Sequence, residues 1–271
     1  MADNRTKLRP VLQEGQIALE DKNAERPRAL PKGKRLKKAA KDQRKRIEEL
    51  QDVFYADGRF ALLVVLQGRD TSGKDGTVKH VFRSVNPMGC EVTSFKAPTE
   101  FEREQGFLWR IERRVPAKRM IGIFNRSHYE DVIVPRVHGD MSDDQLQRRY
   151  EEINDFEQKL VENSVIVLKF FLHISREEQK KRFIERLENP RKNWKFREGD
   201  LDDRALWDSY TEAFHGMIAN CSTRWARWYI VPANDEDARN LLVARTIADA
   251  LDRLKLRYPR IDPKLKKLKI E

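Results

Sequence analysis

Residues 68–76, GRDTSGKDG, hold the densest chemistry in the chain. Gly68, four further residues, Gly73 and Lys74 match the phosphate-loop spacing G-x-x-x-x-G-K. Glycines let such a loop curl until successive backbone N–H groups point inward at phosphate oxygens. A helix that follows adds the partial positive charge of its N-terminus, and Lys74 adds a full one. Position 75 departs from the pattern: Asp75 stands where a Ser or Thr hydroxyl usually faces Mg2+. Asp70 puts another carboxylate where phosphates would lie. That repulsion needs a metal to offset it, so Asp70 reads as a magnesium-facing residue or a base. The alternative is an Asx-turn residue that only shapes the loop.

A second polar segment, NRSHYEDVIVPRVHG at 125–139, follows the apolar run MIGIF. The carboxyl end of a parallel strand is where open α/β sheets place their ligands. Arg126 could contact a transferring phosphoryl group, and Glu130 or Asp131 could hold a metal or orient water around it. Taken alone, the segment could equally be a polar strand-end loop.

These residues need a scaffold, and the hydrophobic pattern supplies one. ALLVVLQ at 61–67 is a continuous apolar run, as expected for a buried parallel strand. Further strands are expected at 91–96, 120–124, 165–174 and 228–232. The phosphate loop leads into a helix at 77–85. Capping boxes at Thr99–Glu102, Ser142–Gln145 and Ser175–Glu178 open helices to about Arg114, Glu162 and Leu187. A last helix runs from Asp235 to about Leu256. This alternation argues for one parallel sheet with helices on both faces. Residues 189–202, NPRKNWKFREGDLD, lack apolar periodicity and read as a mobile segment between two helices. Ahead of the sheet, residues 1–30 read as a loosely ordered extension. Leu36, Ile47, Leu50, Val53 and Phe54 then mark a basic amphipathic helix from about 33 to 56. Its lysines are either a solvated face or a rim for a polyanion. The expected division is a basic extension over 1–58, an α/β domain over 59–260 and a basic tail over 261–271.

Charged residues make up 37% of the 271, against about 25% in typical domains. The formal net charge of +11 predicts a polyanionic partner: nucleic acid, an anionic membrane surface or a phosphate-rich ligand. No apolar run nears the roughly 18 residues needed to span a bilayer, and no secretory signal is read at the polar N-terminus. Cys90 and Cys221 are too few and too distant for a disulfide framework or a zinc site, which fits two reduced thiols in a cytoplasmic protein. The five histidines show no metal-ligand spacing.

Together the two motifs resemble the second polyphosphate kinase family. The similarity extends over 66–82, 85–100, 121–139, 168–210 and 228–235, in the family's order, and covers most of 35–260. The SHYEDV form is similar to the branch acting on both nucleoside monophosphates and diphosphates. The resemblance implies a P-loop kinase-like α/β fold with a helical lid at about 186–210. It implies Mg2+-dependent, direct and reversible transfer from inorganic polyphosphate to AMP or ADP, with ADP and ATP as products, and Mn2+ as a substitute metal. Homo-oligomers are common among such enzymes, and one is expected here.

Carried over residue by residue, Gly68, Asp70, Gly73 and Lys74 match the family's loop, with Asp70 metal-associated or a base. Arg69, Thr71, Ser72, Asp75 and Gly76 complete the loop's contacts. Arg126 matches the arginine after the second strand motif, and Arg136 lies further along the same segment. Arg186 matches a phosphate-contacting arginine on the helix entering the lid. Lys192, Lys195 and Arg197 fall in the lid itself. Asn125 departs from the many members that carry Asp there, which makes Asp131 the substitute metal-facing carboxylate. Two other readings remain: an ATP-dependent kinase of the same fold, and a nucleic-acid binder with a vestigial loop. Asp75 and the basic excess count against the first. The lack of any RNA- or DNA-recognition signature counts against the second.

Overall fold

The computed structural model describes residues 6–12 and 16–265. Five parallel strands form one sheet in the order β2-β3-β1-β4-β5. They are β1 (Ala61–Gln67), β2 (Cys90–Ser94), β3 (Ile121–Asn125), β4 (Val165–His173) and β5 (Trp228–Pro232). Every residue of β1 is buried. Its side chains alternate between two cores, with Leu62, Val64 and Leu66 in one and Ala61, Leu63 and Val65 in the other. A strand buried on both faces reads as an unbroken apolar run, which is why 61–67 was legible.

Helices α1 (Gly33–Asp57), α2 (Lys74–Val81) and α10 (Glu236–Asp252) cover one face. Helices α5 (Glu130–His138), α6 (Asp143–Glu162) and α9 (Trp207–Cys221) cover the other. The short α3 (Glu100–Glu104) and α4 (Trp109–Glu112) lie between β2 and β3, and α7 (Arg176–Glu188) and α8 (Gly199–Ala205) between β4 and α9. This is the expected P-loop kinase-like arrangement.

Four local readings change. The helix expected from Thr99 to Arg114 keeps its capping box but breaks at Gly106, whose φ of 86° ends α3. Glu130–His138 is a helix rather than a strand-end loop. Its Pro135 cannot donate to the Asp131 carbonyl, and Arg149 Nη1 fills that bond at 3.1 Å. The 189–202 stretch contains a single turn at Asn193–Lys195 and the start of α8. The segment before α1 is not a loose extension where it is described. Val11, Ala24 and Leu30 are buried, Val11 N–H donates to the Trp228 carbonyl at 2.8 Å, and the His173 ring bonds the Glu20 carbonyl at 3.0 Å. Of the expected tail, residues 261–265 are exposed and 266–271 lie outside the described residues. Leu36, Ile47 and Phe54 pack α1 into the same core as α10.

Candidate active site

The loop leaves β1 at Gly68 and returns into α2 at Lys74, so its backbone lies at the carboxyl end of the central strand. Gly73 has φ 94°, and a β-carbon there would collide with the Arg239 guanidinium. Only glycine combines that angle with so close a neighbour. Two non-glycine residues also take left-handed backbone at strand ends facing the site: Thr71 with φ 62° and Arg126 with φ 63°. Such conformations cost about 1–3 kcal/mol each and cluster where the chain is constrained for function.

Lys74 is buried. Its Nζ donates to the carbonyls of Gly68 at 2.7 Å and Arg69 at 3.1 Å. Burial, with the charge of Arg126 beside it, lowers the ammonium to about 8. Asp70 faces it from inside the loop and accepts Arg186 Nη1 at 2.9 Å. Burial pushes the Asp70 carboxyl up, but Lys74 and Arg186 outweigh it and hold it below its usual range. Arg186 also reaches Asp200 of α8 at 3.4 Å. Burial and the charge of Asp70 raise the Asp200 carboxyl. Lys195, in the turn after α7, donates to Asp75 at 2.9 Å, and Asn125 donates to the other Asp75 oxygen at 2.7 Å.

Three cavities meet at Asp70. The first, about 220 Å³, is lined by Lys74, Arg182, Arg186, Lys192 and Lys195, with the carboxylates of Asp70, Asp75, Glu185 and Glu236 among them. The second, about 190 Å³, is lined by Arg126, by Glu130, Ile133 and Val134 from one face of α5, and by Tyr210 and Phe214 of α9. The third, about 730 Å³, extends along Phe95, Lys96, Asn125 and Arg126 to Trp194, Lys195 and Arg197. The structure thus brings together Gly68, Arg69, Asp70, Thr71, Gly73, Lys74, Asp75, Asn125, Arg126, Arg186, Lys192, Lys195 and Arg197. Ser72 and Gly76 lie within the loop and first turn of α2 but line none of these cavities.

Arg136 and Asp131 are not brought there. Arg136 pairs with Asp143 across the α5–α6 turn. Asp131 pairs with Arg110 at 3.1 Å and lines none of the three cavities, whereas Glu130 lies 4.0 Å from Arg126 and lines the second. Consecutive helical residues point about 100° apart, so only one of the two carboxylates can face the loop.

Residues that support the loop escaped the sequence reading. Arg182 Nη1 donates to the Thr71 carbonyl at 2.9 Å, and Gln179 donates to the Asp70 carbonyl at 3.2 Å. The spacing of Gln179, Arg182 and Arg186 on one helix face was the available signal. Arg239 is fully buried behind Gly73, and its Nη1 donates to the Ser72 carbonyl at 3.4 Å. Arg69 lies over the Trp207 ring at 3.7 Å and donates to its carbonyl at 2.9 Å, fastening the loop to α9. Nothing in the local pattern marked Arg239, whereas Arg69 was already expected among the loop's contacts.

The donor set bears on a divalent ion. Among the described residues, no three His, Cys, Asp or Glu side chains cluster as a metal site. Asp70 and Asp75 are separate carboxylates, and the buried hydroxyls of Thr71 and Ser72 have no hydrogen-bond partner. Mg2+ commonly takes one or two carboxylates plus substrate phosphates, and these residues fit such a shared ion rather than an all-protein cage.

A parallel sheet in this order, with a glycine-containing phosphate loop after β1 and the side chains of Arg186, Lys192 and Lys195 at its cavity, has the arrangement of a phosphate-loop kinase. Comparison with known proteins narrows the class. The family model Polyphosphate kinase 2 (PPK2) matches residues 31–259, and the chain belongs to this family. It is 48% identical over 227 residues to the AMP/ADP-polyphosphate phosphotransferase of Meiothermus ruber, covering 84% of this chain and 85% of that one. It is 40% identical over 237 residues to the ADP-polyphosphate phosphotransferase of Rhodopseudomonas palustris, covering 83% and 82%. The crystal structure of Polyphosphate Kinase 2 from Arthrobacter aurescens TC1 superposes with a TM-score of 0.82 at 39% identity, covering 98% of this chain and 92% of that one.

Proposed function

We propose that the chain catalyses reversible phosphoryl transfer from inorganic polyphosphate to AMP or ADP. The observation that carries this is the wall of the loop cavity, where Lys74, Arg182, Arg186, Lys192 and Lys195 gather at the phosphate loop against the carboxylates of Asp70, Asp75, Glu185 and Glu236. A flexible phosphate chain bearing about one negative charge per unit fits that wall without any base-specific contact. The relatives' printed activities support the same donor and acceptors.

Phosphoryl transfer asks for in-line positioning and neutral surroundings for the charge on the equatorial oxygens. Lys74 and the backbone N–H groups of the loop supply the first contacts. Arg126 and Arg186 approach from β3 and α7. Phosphate entering the loop takes over Lys74 from the Gly68 and Arg69 carbonyls, so binding exchanges one set of charge-assisted bonds for another. The lid excludes water, to which transfer would otherwise leak. A divalent ion, taken to be Mg2+ with Mn2+ as substitute, would be held by Asp70 with support from Asp75 and would neutralise phosphate charge. Arg186, which pairs with Asp70 at 2.9 Å, stands at the same cavity and can turn its guanidinium toward the phosphates. A homo-oligomer and a reducing cytoplasmic setting complete the reading; the two cysteines are unpaired.

The test is a donor exchange followed by phosphorus NMR. Polyphosphate with ADP should yield ATP and shortened chains. Turnover of AMP with ATP but not with polyphosphate would favour the ATP-dependent reading.

A further inference from the structure

A cavity of about 950 Å³ lies away from the phosphate loop, at the other end of the sheet. Phe60 and Ser164, the residues just before β1 and β4, line it, so it opens at the strands' amino ends. Six cationic side chains face it: Lys7, Arg9, Arg224, Arg227, Arg245 and Arg253. Asp249 is its one carboxylate among the described residues, and that group is already engaged by Lys7 at 2.7 Å and Arg46 at 2.8 Å. Arg245 donates to the Thr6 carbonyl at 2.6 Å. Among the described residues, Arg9, Arg224, Arg227 and Arg253 have no carboxylate within ion-pair distance.

Helix ends explain part of this charge. The C-termini of α6 and α10 adjoin the cavity through Val161 and Arg253, and each offsets about half a charge. After Asp249 and these two dipoles, about four positive charges remain uncompensated. A recess of one sign between low-dielectric walls focuses its field and collects counter-ions. Guanidinium groups present forked donors matched to phosphate oxygens.

We propose that this recess is a second binding site for a condensed-phosphate chain, separate from the loop. It tethers long polyphosphate while one end of the same chain reacts. The seven-residue β1 spans roughly 23 Å between the two sites, a distance a long chain bridges and tripolyphosphate does not. Tethering raises the effective concentration of donor at the loop without any new contact there. The proposal rests on polyphosphate being the donor. A nucleotide triphosphate shares the recognised chemistry, and the test separates the two sources.

The experiment uses the full chain and the triple variant Arg224→Gln, Arg227→Gln, Arg253→Gln. A control variant, Arg113→Gln, Lys118→Gln, Arg148→Gln, removes the same charge from exposed positions elsewhere. Binding of long-chain polyphosphate, tripolyphosphate, ATP and inorganic phosphate is measured across salt concentrations, with KM for the long and short donors. In the triple variant, long-chain affinity should fall about tenfold and the log–log salt slope by about two. KM for the long donor should rise, while turnover on tripolyphosphate stays unchanged. Binding of ATP lost in parallel would identify a site for any triphosphate; loss confined to the long chain would identify polyphosphate. Equal weakening in the control, or no change in the triple variant, overturns the second site. A wild-type protein that uses no polyphosphate would instead overturn the proposed function.

Discussion

Asn125 Nδ2 donates to Asp75 Oδ1 at 2.7 Å, so the two positions at which this chain departs from the expected motifs meet each other. Each looked anomalous alone. Asp75 replaces a hydroxyl at the start of α2, and Asn125 replaces a carboxylate at the end of β3. An Asp at both positions would bring two negative charges within hydrogen-bond range. The amide instead supplies a donor, and Asp75 keeps its second oxygen for Lys195 of the lid. Burial raises the Asp75 carboxyl, but these two hydrogen bonds outweigh it and the carboxyl sits below its usual range.

Asn125→Asp should therefore lower stability without metal and recover it with metal. Losing the bond and gaining like-charge repulsion at a half-exposed site costs about 1 kcal/mol. Melting temperature read with and without Mg2+ checks this. A larger Mg2+-induced rise in the variant than in the wild type is expected, because the carboxylate pair binds the ion in the folded state only.

Arg186 is held between Asp70 and Asp200 and is expected to turn to phosphate during transfer. Arg186→Gln should cut kcat by about a hundredfold, the usual loss when one charge-stabilising donor is removed. Lys at 186 should restore only part of it, since an ammonium cannot make the forked contact. Single-turnover rates on the three proteins would show the ordering; equal rates in wild type and Gln variant would remove Arg186 from the chemistry.

The Lys74 ammonium titrates near 8 rather than at its ordinary 10.5, because burial and Arg126 disfavour its charge. The charged form binds phosphate, so kcat/KM should fall as pH rises through about 8. Bound phosphate favours the charged form, so kcat at saturation should hold to a higher pH. The sign for stability is opposite. Between about 8 and 10.5 the unfolded chain holds the Lys74 proton and the folded one has released it, so this residue's contribution rises with pH. Coincident pH profiles for kcat/KM and kcat would contradict the assignment.

Gly73→Ala should destabilise more than Gly106→Ala. Both glycines have positive φ, 94° and 86°. Of the two, only Gly73 would bring a methyl into a neighbour, the buried Arg239 guanidinium, while nothing lies within 4 Å at Gly106. The backbone penalty alone is about 1 kcal/mol, so Gly106→Ala should lower the melting temperature by a few degrees. Gly73→Ala should lower it further and also lose polyphosphate binding. Calorimetry on the two variants makes the comparison.

The fold was legible where signals were local. The apolar run of β1, the caps at Ser142 and Ser175, and the spacing of Gly68, Gly73 and Lys74 are short-range features. Arg126 was marked by its place at a strand's carboxyl end, whereas Arg186 came from family resemblance rather than from pattern. What escaped depends on long-range packing. Arg239 lies 166 residues from Gly73 and Arg182 lies 111 residues from Thr71. The choice between Glu130 and Asp131 turned on α5 being a helix, which the polar composition and Pro135 concealed. Gly106 cut a helix that its capping box had announced. The cationic recess at the far end of the sheet gathers Lys7 and Arg253, which no window could place together.

The most direct test incubates the wild-type chain and Lys74→Ala with Mg2+, long-chain polyphosphate, and AMP or ADP in separate reactions, with nucleotides resolved by ion-exchange chromatography. The account predicts ADP and then ATP from AMP, and ATP from ADP, in the wild type only, with both proteins folded by circular dichroism. No product from either acceptor in the folded wild type, or undiminished product in the folded Lys74→Ala chain, would contradict it.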